Sequence, residues 1–286
     1  DRAIIVAVTP PDKIGLGQGV SFSGPGIGLT LGLLLGGVLG EWLSWRITFW
    51  LFALGPIIAA LCIVRWVPAP PAAAPTGRAG ARLLAVLAHR PLWVLGVVGI
   101  TGIYAQFVIA TWAPLFFQET GVDELGRAGA YASLQGVAAV AGLIGGGWTD
   151  DRLRRRGFGH TVVIAVGLAA LALSAAAMAA AISYRSSLGL AVTLFATAFF
   201  CWSIWPAIYA LLGDMVSPDS LSTGFGLLNS VSFLGAVAGP PITGWVRDAA
   251  GSFSHGCLLA ALVALVGAGL SLAIRPPAPR KATRPG

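Results

Sequence analysis

Eight apolar runs follow one another along this chain, at roughly 16–40, 47–66, 91–117, 127–149, 160–182, 188–213, 221–246 and 255–274, and none carries a lysine or arginine near its centre. A hydrocarbon core about 30 Å thick takes about 20 helical residues to cross. Lipid offers a backbone amide no outside partner, so runs of this length are expected to be helices that satisfy their own hydrogen bonds. Composition agrees with this reading. Of 286 residues 56% are hydrophobic and 10% are charged, against about a quarter charged in ordinary soluble domains. A water-soluble enzyme built this way would expose too much apolar surface. The expected fold class is an all-α polytopic membrane protein, whose first partner is the lipid bilayer.

The formal charge of +7 does not point to nucleic acid, because the basic residues lie in short segments between the apolar runs and form no stripe along a helix. The three cysteines (Cys62, Cys201, Cys257) sit inside apolar runs without metal-ligand spacing and read as small buried hydrophobes. His89, His160 and His255 fall near run ends, and neither H-E-x-x-H nor G-x-S-x-G occurs. No metal, cofactor or enzymatic activity is expected.

The stretch Pro68–Pro75, followed by Thr76–Arg90, is first Pro/Ala-rich and then basic, so it reads as a linker between two bundles. Two spans precede it and six follow. The short opening run Ala3–Val8 looks like the tail of another span. That asymmetry suggests a chain truncated from twelve helices: a remnant of one six-helix bundle over 1–66, a linker over 67–90, a complete six-helix bundle over 91–275 and a tail over 276–286. Alternate connections differ in charge. One set holds Lys13; Arg65, Arg78, Arg82 and Arg90; Arg152, Arg154, Arg155 and Arg156; and Arg275, Arg280, Lys281 and Arg284. The other set holds Arg46, Arg127, Arg185 and Arg247. The richer set marks the cytoplasmic side, which places the linker and C-terminus there, in an inner or plasma membrane.

Within the first full run Gly24, Gly28, Gly32, Gly36 and Gly40 recur every fourth residue, a strip without side chains along which another helix can pack or slide. Gly28-x-x-x-Gly32-Leu33-x-x-Gly36-Gly37 resembles the fifth-helix motif G-x-x-x-G-P-x-x-G-G of major facilitator superfamily transporters, and Trp45-Arg46-x-x-Phe49 resembles the junction into their sixth helix. Leu33 stands where that motif has proline, a departure that argues against drug/proton antiport. Gly147-Trp148-Thr149-Asp150-Asp151-Arg152-Leu153-Arg154-Arg155-Arg156 is similar to the family's cytoplasmic loop motif G-x-x-x-D-R-x-G-R-R, with Arg154 in place of the inner glycine. The resemblance implies a conformational lock at Gly147, Asp151, Arg152, Arg155 and Arg156. Asp151 can face the positive end of a helix while the arginines anchor at anionic lipid; plain positive-inside anchoring is the simpler alternative. Asn229 through Gly244 resembles the eleventh helix, and its Pro240-Pro241 pair is expected to kink or loosen it.

Trp112-x-Pro114, the Gly145–Arg156 context and Arg2 together look like the anion:cation symporter branch. That resemblance implies secondary transport of a small organic anion with a proton or sodium ion, by rocking of two bundles about a midplane site. Candidate substrate contacts are Arg2, Tyr104, Gln106, Gln135, Trp202 and Asn229, with Tyr131, Ser203, Trp205, Tyr209 and Ser230 as further polar residues within spans. An interfacial aromatic belt or plain interhelical hydrogen bonds would also account for several of them. Asp214 ends its span and reads as a helix-end residue. No acid lies at mid-depth in the eight runs, so a coupling site would lie in absent helices, or the protein would be a uniporter. A multidrug/proton antiporter, a non-transporting scaffold or sensor, and an inactive fragment are the alternatives; a monomer is expected.

Overall fold

The computed structural model describes residues 14–67, 84, 86–217 and 220–274, with side chains described from Gly24 onward. The described residues form α-helices. In chain order these are α1 (Ile14–Trp42), α2 (Trp45–Trp66), α3 (Arg90–Glu119), α4 (Leu125–Arg155), α5 (His160–Ser183), α6 (Ser187–Ser203), α7 (Trp205–Met215), α8 (Leu221–Ser232), α9 (Leu234–Ala250) and α10 (Ser254–Ala273). Two spans are each made of two helices in line, α6 with α7 and α8 with α9, giving eight segments long and apolar enough to cross a membrane. Arg2, the run Ala3–Val8, most of the linker and the C-terminal tail lie outside the described residues.

The chain crosses back and forth, so helix ends collect on two sides, called here the linker side and the opposite side. Helices α3 to α10 pack around a shared core that includes Leu95, Val98, Phe116, Ile164, Leu168 and Leu194. Close approach depends on glycine. A Cβ on Gly235 or Gly239 of α9 would press on the backbone of Ile100 and Tyr104 in α3, and one on Gly96 would strike Val231 of α8. Such backbone contact maximises dispersion where lipid supplies no hydrophobic drive between helices. By contrast α2 packs along α1, and large apolar side chains such as Trp50, Leu61 and Val64 stay exposed on it. This is the surface expected of a helix surrounded by acyl chains.

The breaks in the spans have local causes or local limits. Pro206, the second residue of α7, has no N–H to give the carbonyl four residues back, and the span breaks beside it at Ile204. The other break is at Phe233. It does not fall at the proline pair: α9 runs unbroken through Pro240 and Pro241. Only one residue is affected, since Phe233 N–H still reaches Asn229 O at 2.9 Å and Val237 N–H reaches Phe233 O at 3.2 Å. The α4–α5 turn also differs from the motif's pattern. Helix α4 continues through Arg154 to Arg155, and the left-handed residue that lets the chain reverse is Gly157, at φ +87°.

Candidate functional site

Three places in the bundle carry polar or close-packed features that a plain hydrophobic bundle does not require. The first is the linker-side end of α4. Arg152, Arg155 and Arg156 are exposed, and the Arg152 guanidinium lies 5.3 Å from the Trp148 ring centroid, a cation–π pair at the end of the span. Asp151 is exposed as well, and it makes no ion pair among the described residues. The acid that is held is its neighbour. Asp150 is buried, and its Oδ1 lies 2.8 Å from Nδ1 of His160, the buried first residue of α5. The other ring nitrogen, Nε2, lies 3.5 Å from Oδ2 of Asp214 near the end of α7. Sequence reasoning singled out Asp151 from the motif and missed Asp150 and His160. A usable signal was present: Gly142, Gly146 and Asp150 are spaced by four on α4, so Asp150 shares the face on which the two glycines are buried inside the bundle.

The second place is the interior of the bundle, where several polar side chains lack partners. Gln135 on α4 is 1% exposed, and neither oxygen nor nitrogen of its amide meets a protein group. Gln106 on α3 leaves its Oε1 unpaired. The Tyr104 phenol is directed at Thr243 of α9, yet neither oxygen closes a hydrogen bond. An unpaired buried polar group costs about 1–3 kcal/mol. Nearer the linker side, Tyr209 Oη donates to Asn229 Oδ1 at 3.4 Å, and its ring lies between Trp205 and Phe225 with centroids 5.4 and 5.2 Å away. Trp202 is half-buried, and its Cβ lies against Gly142. Among the described candidates only Tyr209 and Asn229 meet through polar atoms; Tyr104, Gln106, Gln135 and Trp202 stand apart from them. Arg2 lies outside the described residues.

The third place is the seam between α1 and α4. A Cβ on Gly26 would lie 3.0 Å from Gly136 O and 2.8 Å from Val140; one on Gly37 would lie 3.1 Å from Leu125 O; one on Gly129 would lie 2.8 Å from Leu33 O. Backbone therefore meets backbone over about three helical turns, along a face of α1 carrying Gly26, Thr30, Leu33 and Gly37. At the opposite side Glu41 Oε2 accepts the backbone N–H of Gly126 at 3.2 Å, closing the seam against the first turn of α4. The glycines expected from the motif are divided between environments. Gly37 is in the seam, Gly36 faces the Phe52 ring of α2 at 3.6 Å, and a side chain on Gly28 or Gly32 would meet nothing within 4 Å. A small hollow of about 190 Å³ opens beside the seam between Gly32, Gly36, Pro114, Leu125 and Gly129.

Comparison with known proteins agrees with this architecture. The chain is similar to a putative tartrate transporter of Agrobacterium vitis, 28% identical over 203 residues that cover 71% of this chain and 45% of that protein. It is also similar to the 3-(3-hydroxy-phenyl)propionate transporter of Escherichia coli K12, 26% identical over 266 residues covering 91% of this chain and 62% of that protein. It therefore spans less than two thirds of the length of either relative. Among solved structures, a bacterial homolog of the human lysosomal transporter Spinster, inward-facing and occupied, superposes with a TM-score of 0.72 at 16% identity, over 96% of this chain and 72% of that one; this likeness concerns the fold. The family model described as Major Facilitator Superfamily matches residues 2–183 and 155–286, so this multi-pass membrane chain belongs to the Major Facilitator Superfamily.

Proposed function

We propose that the chain acts in a secondary transporter that moves a small organic anion by alternating access. In this reading residues 1–66 belong to one bundle, 67–90 to the linker, 91–275 to the second bundle and 276–286 to a tail, with linker and tail on the cytoplasmic side. The observation that carries it is Gln135. A fully buried amide with no protein partner is costly in a bundle of this kind, and a polar solute reaching the interior supplies the missing hydrogen bonds. Gln106 and Tyr104 offer further unpaired polar atoms on α3, and Trp202 and Asn229 extend the polar and aromatic wall. Arg2 remains a candidate for pairing with a carboxylate bidentately. The two relatives named for tartrate and 3-(3-hydroxy-phenyl)propionate support a carboxylate as the transported group. Coupling to a proton or sodium ion, and the lock role of Gly147, Asp151, Arg152, Arg155 and Arg156, belong to the same proposal.

The test is uptake of labelled tartrate and 3-(3-hydroxyphenyl)propionate into vesicles carrying the full-length gene product that contains this chain. The proposal expects saturable uptake of at least one of the two. Gln135→Leu abolishes it while leaving the protein as stable as the parent or more so, because a similarly sized apolar side chain removes the unpaired amide. Undiminished uptake by Gln135→Leu would overturn the assignment of the site. Failure to take up either carboxylate, together with export of cationic drugs, would replace symport of an organic anion with antiport.

A further inference from the structure

We infer that Asp150, His160 and Asp214 form a proton-binding site that clasps the linker-side end of α7 to α4 and α5. The inference does not depend on which solute the protein moves. His160 Nδ1 lies 2.8 Å from Asp150 Oδ1, a hydrogen-bond distance that needs a proton between them. In a neutral imidazole that proton leaves Nε2 with a bare lone pair. The lone pair then faces Asp214 Oδ2, an acceptor 3.5 Å away, and the contact is repulsive. The opposite tautomer moves the conflict to the shorter Asp150 contact. One additional proton resolves both, because an imidazolium donates from each ring nitrogen and carries a positive charge between two carboxylates. Nε2 makes no hydrogen bond to any other group, which leaves it as the nitrogen to take that proton.

No other charge competes for this position among the described residues. On α4, Asp151 and the arginines beyond it are exposed and make no ion pair with His160; on α7 the facing group is Asp214; α10 and α6 bring no charged side chain to this end; His89 and Arg90 at the start of α3 make no ion pair with it. The clasp joins helices of unequal freedom. Asp150 and His160 are buried, with side chains 6% and 4% exposed, whereas the Asp214 side chain is 52% exposed. Loss of the proton therefore releases the Asp214 side chain into water and loosens the end of α7, which Leu212 and Met215 still anchor by burial, while the Asp150–His160 bond persists. Docking and proton uptake are linked one to one.

The experiment places a nitroxide at Gly213→Cys, next to Asp214, where an added side chain meets nothing within 4 Å. It uses the full chain with Cys62, Cys201 and Cys257 replaced by alanine. The spectrum gives the ratio of immobile, docked label to mobile, released label. As pH rises this ratio falls with a limiting slope of about tenfold per pH unit, the value for one linked proton. Asp214→Asn abolishes the dependence, because its amide N–H donates to the lone pair of a neutral ring. A ratio constant with pH in the parent, or the same slope in Asp214→Asn, overturns the inference. A second measurement does not rely on the label: in the chain labelled with 15N-histidine, His160 carries hydrogen on both ring nitrogens at the pH where the nitroxide is immobile. A single protonated nitrogen under that condition likewise overturns it.

Discussion

Replacing Gly136 by alanine tests the α1–α4 seam directly. Its new Cβ would lie 2.5 Å from both Gly26 O and Thr30 N. That is roughly 1 Å short of ordinary contact at about 3.5 Å. Thr30 Oγ1, closer still, can rotate away, but the two backbone atoms cannot, so α1 as a whole must retreat. Overpacking of this kind costs about 1–3 kcal/mol, and the higher helix propensity of alanine returns at most about 1 kcal/mol of it. Gly28→Ala and Gly32→Ala enter open space and are expected to be neutral or to stabilise by a fraction of that propensity term. Hydrogen exchange on peptides covering 24–42, with the chain in lipid nanodiscs, reads the opening of α1 locally. A loss of 1–3 kcal/mol speeds exchange by about 5- to 150-fold. Gly136→Ala is expected in that range, with both α1 variants at or below the parent rate. The reasoning fails if Gly28→Ala opens α1 as much as Gly136→Ala does, because the four-residue glycine strip would then be the packing face.

Two further substitutions separate residues of similar appearance. Asp150→Asn removes the charge from a buried hydrogen bond to His160 and is expected to lower stability by about 1–3 kcal/mol, whereas exposed Asp151→Asn changes it by less than about 0.5 kcal/mol; denaturation in mixed micelles compares the two. Glu119 at the end of α3 accepts the Phe253 N–H at 3.1 Å and the Ser252 hydroxyl at 3.0 Å, fixing the α9–α10 turn. Glu119→Ala is expected to cost about 1–3 kcal/mol and to speed exchange at 251–255, with little change at the linker side.

Much of the fold was legible because a bilayer restricts the choices. Run length and the absence of central charge marked each crossing, and the described helices match those runs to within a few residues at most ends. Facing direction was harder to read. Gly26 and Gly28 are chemically identical and two positions apart, yet one meets α4 and the other open space; the four-residue repeat selected Gly28, while the partner's own glycines at Gly129 and Gly136 decided for Gly26. The same limit applies to Asp150 and Asp151. A motif fixes residue types along the chain, but a rotation of 100° between neighbours on a helix puts one acid inside and the other in water. The Pro240-Pro241 pair does not end its helix: α9 runs through both rings, and the interruption of the span lies upstream at Phe233.

The two interrupted spans share a proportion. On the opposite side, α6 and α9 each have 17 residues; on the linker side, α7 has 11 and α8 has 12. Ile204 and Phe233 thus lie at about the same depth, some 25 Å in from the far surface. The short arms beyond them touch each other through Tyr209, Phe225 and Asn229. Two interruptions at one level divide these spans into unequal storeys, a shallow one of short rods that touch each other and a deeper one of longer rods.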